Sequence, residues 1–169
     1  TQKNTPAKQV KFYLFERKKR FMLIVSTKNN VYKGIVSLSN FNKAQNSCDI
    51  ALITDTSIDP YLAPYAALEA IARISEYAFK NLGIKTIYGI AKIKLKFWLQ
   101  RMELFGYKLS TITDYYYVNN KKLPFHIYIS CSYEDYKKIK KKRKYFWDNL
   151  ENMKKRINKL PKKICLIST

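Results

Sequence analysis

The sequence is short of glycine, of acidic residues and of histidine, and the shortages narrow what the chain can do. Only 4 of its 169 residues are glycine. None lies in Asp59–Phe79, "DPYLAPYAALEAIARISEYAF", where a loop turns directly into an amphipathic helix. A phosphate cradle at such a helix start uses free backbone N–H groups. Here Pro60 and Pro64 stand in the loop instead, and proline has no N–H to give. There is one histidine, His126, and three widely separated cysteines, Cys48, Cys131 and Cys165. That set has no metal-ligand spacing, so no protein-built metal site is expected. An odd number of unpaired cysteines fits a reducing, cytoplasmic setting. No apolar run reaches the length of a membrane span, and no secretory signal is present. The chain opens on Thr1 rather than Met, so a trimmed N-terminus is expected.

What is abundant is positive charge. Lys and Arg number 33 against 12 Asp and Glu, a formal charge of +21. The excess is mostly lysine and comes with much Asn, Ile, Tyr and Phe, the composition of an AT-rich coding sequence. Whatever its origin, such a field favours anionic partners: nucleic acid, a membrane surface or a phosphorylated small molecule.

The order of elements follows from period and punctuation. Thr5-Pro6 is a helix start, with Val10, Tyr13 and Leu14 at helical spacing. "RFMLIVST", "IVSLSNF" and "CDIALIT" are strands separated by the polar turns "NNVYKG" and "NKAQNS", an antiparallel meander. A helix is expected from about Tyr65 to Leu82, with Ala67, Ile71, Ile74, Ala78 and Leu82 on one face and Gly83 as its stop. "IKTIYGIAKI" is a strand. "KLKFWLQRMELFG" is a helix turning Leu95, Trp98, Leu99, Met102 and Phe105 inward. "YKLSTITDYYYV" and "FHIYISCS" are strands about the turn "NNKKLP". The fold class is α+β, a mixed and mainly antiparallel sheet flanked by helices. A basic, helix-like tail follows. The composition shift near Glu134 places a domain over residues 1–136 and the tail over 137–169.

This ordered set resembles the GNAT N-acetyltransferase superfamily, in the branch with ribosomal-protein N-terminal, spermidine and amino-sugar acetyltransferases. "YKGIVSLSNFNKAQNSCDIALIT" is similar to the family's paired strands. "PYAALEAIARISEYAFKNLGIKTIYGIAKI" is similar to its cofactor helix and central strand. "LKFWLQRMELFGYKL" is similar to its next helix, and "NNKKLPFHIYISCSYEDY" to its closing hairpin. The family's first strand and first helix are expected to be missing or cut short before Thr1.

The resemblance implies an acetyl-CoA-dependent enzyme. Coenzyme A would be held by the backbone of Leu62, Ala63, Tyr65, Ala66 and Ala67 at the helix start, with the helix dipole helping. The family's Arg/Gln-x-x-Gly-x-Gly/Ala pattern is met only at Ala66. Leu95 stands where the family often has an Asn, and Met102 where some members have a Tyr acid. Asp49 matches the acidic strand position and is the candidate general base. The N–H groups from Ala51 to Ile53 are candidates to polarise the thioester. Tyr115 and Tyr117, which share a strand face, and His126 are candidates for the acceptor site. Each has a plainer reading, as ordinary strand aromatics and a structural histidine. Cys48 and Cys131 are expected to be small buried residues.

The acceptor is a small amine. A nucleotide-linked amino sugar suits the positive field, and a protein N-terminus is the alternative; a polyamine would be repelled. The run from Lys137 to Lys144, followed by Tyr145, Phe146 and Trp147, also fits a non-catalytic module binding nucleic acid or a protein. It equally fits a solvated helix packing Tyr136, Ile139, Phe146 and Leu150 against the domain.

Overall fold

The computed structural model describes residues 5–16, 19–26, 31–54, 63–92 and 96–142. Tyr61, Leu62, Leu95 and everything after Lys142 lie outside the described residues, and with them the fate of Phe146 and Leu150. Chain order is α1 (Pro6–Glu16), β1 (Phe21–Ser26), β2 (Tyr32–Asn42), β3 (Ser47–Thr54), α2 (Ala63–Asn81), β4 (Thr86–Lys92), α3 (Lys96–Glu103), β5 (Lys108–Val118), β6 (Lys121–Ser132) and α4 (Tyr133–Lys142). The strands form a six-stranded sheet in the order β1-β2-β3-β4-β6-β5. All neighbours are antiparallel except β3 and β4. Those two are joined by α2, as a parallel pair requires a crossover.

Strand period decides the two faces. Leu38 pairs with Ile50, Cys48 with Ile87, and Ile87 with Cys131. All five are buried and meet the helices. From α2 come Leu68, Ile71, Ile74, Ala78 and Phe79; from α3 come Leu99 and Met102, with Phe105 just beyond. The opposite parity puts Ser39, Asp49, Tyr88 and Ser130 in one cross-strand row on the other face.

Three details differ from the sequence reading. Leu82 is exposed, because α2 ends at Asn81 and the Ile84 amide folds back to the Ala78 carbonyl at 3.1 Å. Gly83 supplies the left-handed residue that this C-cap uses, with φ 65°. The turn "NNKKLP" is only two residues long: Asn119 and Asn120 both have positive φ and form the hairpin turn, so β6 starts at Lys121. Pro124 is tolerated inside β6 because it lies past Lys92↔His126, the last register partners with β4.

The third concerns α4. The boundary expected after residue 136 falls inside this helix, which runs unbroken from Tyr133 to Lys142. Its Tyr136 is 1% exposed and sits 5.1 Å from the Phe79 ring. Lys140 bonds both Tyr136 and Glu76 of α2, and Lys80 reaches Glu76 at 2.8 Å. Burial alone would raise the Glu76 pKa, but hydrogen bonds from Lys140, Lys80 and Tyr136 outweigh it and hold it down at about 2. A depressed carboxylate stabilises the fold above its unfolded pKa, near 4.5, and that contribution is lost as pH falls toward 2. Urea melts of the parent protein at pH 7 and pH 3 are expected to differ by more than those of Glu76→Gln. Equal pH dependence in the two proteins would show that the clamp contributes nothing.

Candidate active site

The site is made by a failure of two strands to stay together. β3 and β4 pair only at Ser47↔Thr86, Cys48↔Ile87 and Asp49↔Tyr88. Both strands continue, to Thr54 and to Lys92, without pairing to each other. Beyond Asp49, one edge of β3 is bonded to β2 while the other has no strand partner among the described residues. An unpaired strand edge is a template for an extended ligand, because its N–H and C=O groups remain to be satisfied. A cleft of about 1360 Å³ opens here. Ala67, Ile71, Trp98 and Met102 line it from the helical side, and Asp49, Tyr88, His126 and Tyr128 from the other.

Asp49 stands at the apex of the splay. It is held by Asn40, whose Nδ2 donates to Asp49 Oδ2 at 2.7 Å. Asn40 has φ 51° and sits where the β2–β3 register slips between Ser39 and Asn42. Bulges re-aim side chains, and Asn is among the few residues that take left-handed φ cheaply. So the bulge is what brings an amide onto the carboxylate. Arg20 borders the same end of the cleft. It is tied to Glu16 at 2.6 Å and donates to Ser39 Oγ at 3.5 Å.

The candidate cofactor residues are partly rearranged. α2 begins at Ala63, two residues before the expected start, since proline is welcome in a helix's first turn. The amides without intrahelical partners therefore lie at Ala63 and Tyr65. Ala66 and Ala67 fall in the next turn, where i→i−4 bonds take their N–H groups. Ala66 is half-buried, and Ala67 is buried and lines the cleft. Ile53 is also corrected. Its carbonyl oxygen would stand 2.1 Å from a Cβ added to Gly34 of β2, so it is directed at β2. A strand residue presents its N–H and C=O to the same edge. The backbone groups on the cleft side are then those of Leu52 and Thr54.

His126 lines the cleft; Tyr115 and Tyr117 do not. Tyr115 pairs with Pro124 and Tyr117 with Lys122, beyond the end of β4. Both rings are exposed, and Lys122 Nζ lies 4.0 Å from the centre of the Tyr115 ring. β5 has three register irregularities before Tyr115. One of them brings in a residue the sequence did not single out. Asp114 accepts from the His126 amide at 2.9 Å and contacts its Nδ1 at 2.9 Å. Cys48 and Cys131 are buried, as expected, and Cys165 lies outside the described residues. Burial, with Asp49 adding to it, pushes the Cys48 thiol up to about 12. Burial and Asp135 push Cys131 up to about 12, against a smaller opposing effect of Lys108.

Neither a family model nor a curated protein matches the sequence. Solved structures do match the fold. The spermidine N-acetyltransferase of Vibrio cholerae, in complex with CoA and spermine, superposes with a TM-score of 0.66 at 14% identity, over 79% of each chain. A dodecameric structure of the Vibrio cholerae enzyme gives 0.62 at 15% identity, over 77% of this chain and 75% of that one. This chain has the GNAT fold. The element order read from the sequence is the order of that fold. The splay of β3 from β4, Asp49, and Ala67 and Ile71 of α2 meet at this one cleft, although the loop before α2 contains no glycine.

Proposed function

We propose that the protein is an acetyl-CoA-dependent N-acetyltransferase acting on a small amine. The observation that carries this reading is the β3–β4 splay with Asp49 at its apex. The groups present suit the cofactor: the unpaired β3 edge at Leu52 and Thr54 for an amide-bearing arm, and the first-turn amides of α2 for phosphate. Acetyl-CoA, when bound, supplies an acetyl group activated as a thioester. The chain does the rest. Asp49 accepts the proton of the attacking amine, which must be neutral to react. Asn40 fixes the carboxylate's orientation. The backbone N–H groups on the cleft edge of β3 stabilise negative charge on the acetyl oxygen. Ile71, Trp98 and Met102 close the helical side to water.

The solved neighbour is a spermidine N-acetyltransferase bound to CoA and spermine. The cleft here points elsewhere. Among its described lining residues Asp49 is the one carboxylate, Arg20 is already paired with Glu16, and Lys92 adds positive charge at the far end. A polycation would be repelled at Lys92, whereas an amine that also carries negative charge is accommodated. A nucleotide-linked amino sugar is the preferred acceptor, and a peptide N-terminus is the second. The nucleic-acid reading loses ground on α4, where Lys140 is engaged by Glu76 and Lys137 by Glu134.

Thiol release with each acceptor class tests this reading. Turnover is expected with a nucleotide-linked amino sugar; turnover on peptides alone would reject the sugar, and none on any amine would reject the enzyme. The cofactor half has its own variant. Ala66→Glu puts bulk and negative charge beside the first turn of α2. It is expected to weaken coenzyme A binding at least tenfold in calorimetry with the circular dichroism spectrum unchanged. Unaltered affinity would place the phosphate site elsewhere.

A further inference from the structure

Asp49 stands at one end of the cleft and Lys92 at the other, and only the first is used by the proton transfer described above. At the far end, Lys92 of β4 and His126 of β6 are register partners across neighbouring strands and share the face that carries Asp49 and Tyr88. Both line the cleft. Lys92 makes no ion pair with a carboxylate among the described residues; its Nζ lies 5.7 Å from the centre of the Phe125 ring. His126 is anchored by Asp114 through Nδ1, which leaves Nε2 as the ring nitrogen able to meet a ligand. Asp114 holds the histidine through both its amide and its ring.

We infer that Lys92 and His126 form an anion-binding subsite for the acceptor, so that the substrate is an amine bearing a phosphate-class group at a distance from its nitrogen. The inference rests on the acetyltransferase reading for the amine end of the cleft. The spacing sets the class. Tyr88 lies opposite Asp49, and Lys92 is four residues further along β4. At about 3.3 Å per residue that separates the two ends by roughly 13 Å. A ligand that touches both ends must therefore carry its amine and its anionic group well apart, on the order of a sugar ring or more. An α-amino acid, with its charges on adjacent atoms, is too short to touch both ends. A polyamine has the wrong sign for one of them. An amino sugar with its amine and phosphate on opposite sides of the ring satisfies both. Lysine supplies a point charge suited to phosphate, and His126, held through Nδ1 by Asp114, presents its second ring nitrogen beside it.

Phosphate chemistry is also offered by coenzyme A itself, so the test separates the two sources. Binding of glucosamine 6-phosphate, glucosamine, spermidine and coenzyme A is measured by calorimetry for the parent chain and for Lys92→Gln with His126→Gln. Lys92 is exposed and His126 partly so, and circular dichroism checks that the double variant folds. The parent is expected to bind glucosamine 6-phosphate at least tenfold more tightly than glucosamine. The double variant is expected to lose that preference while its coenzyme A affinity stays the same. Equal affinity of the parent for the two sugars, a preference that survives in the variant, or tighter binding of spermidine than of the phosphate would overturn the inference. So would a parallel loss of coenzyme A affinity, which would assign the pair to the cofactor's phosphates. Failure of the parent to bind coenzyme A at all is a separate result and counts against the acetyltransferase reading, not against the anion subsite.

Discussion

Asp49→Asn is expected to lower kcat by about 100-fold or more, the usual contribution of a positioned general base. The change is isosteric, so Asn40 and the β2–β3 bulge can stay in place and thermal stability should hardly move. Coenzyme A affinity should also hold, because the cofactor's proposed contacts are backbone groups of β3 and α2. What is lost is the proton acceptor. The pattern to look for is a fall in kcat with the cofactor's Kd unchanged, measured by thiol release and calorimetry on the same preparation. Asn40→Ala should lie between the parent and Asp49→Asn, since it frees the carboxylate without removing it. If Asp49→Asn retains parental kcat, the base is another group, and the row Ser39–Asp49–Tyr88–Ser130 is only a polar sheet face.

Gly34→Ala is expected to be the most damaging small substitution in the sheet. The added Cβ would stand 2.1 Å from the Ile53 carbonyl oxygen and 2.9 Å from the Thr54 Cα, both backbone atoms that cannot rotate away. The φ of Gly34 is 154°, on the glycine side of the map. Relief requires β2 and β3 to separate at the strand end that forms one wall of the cleft. A loss of about 2–4 kcal/mol is expected, in line with strained backbone positions and core overpacking. For a chain of this length that corresponds to a fall in Tm of roughly 10 °C. Cofactor affinity should drop as well, because the same movement displaces Leu52 and Thr54. Glycine-to-alanine changes at relaxed positions stabilise by restricting the unfolded chain, so a neutral or raised Tm would show that β2 and β3 are not locked together here.

Both substitutions act where sequence reading was weakest. The elements themselves were legible because period and punctuation agreed: alternation in "CDIALIT", helical spacing from Ala67 to Ala78, Gly83 at the stop. Local pattern carries that much. The splay was not legible. "CDIALIT" and "IKTIYGIAKI" both read as continuous strands, and nothing in either says that they part after Asp49 and Tyr88. The Asn40 contact depends on a left-handed residue in a bulge. The three asparagines of "SNFNKAQN" were the available hint, but they read equally well as turn composition. Tyr115 and Tyr117 do share a strand face, as parity predicts, but their partners Pro124 and Lys122 lie past the end of β4, and nothing in the local sequence says where that neighbouring strand stops. His126 was found as a lone histidine. Its partner Asp114 lies twelve residues away on the neighbouring strand, so the pair exists only in the paired hairpin. The earlier start of α2 follows from Pro64, which looked like a loop residue and is a first-turn residue.

The central claim is that a loop without glycine, leading into α2 beside a splayed β3, still binds coenzyme A. Calorimetric titration of the intact chain with coenzyme A tests it most directly. Saturable binding of one molecule per chain, weakened by Ala66→Glu and untouched by Asp49→Asn, is the expected result. No detectable heat at millimolar coenzyme A would contradict it and leave the GNAT likeness as one of fold alone.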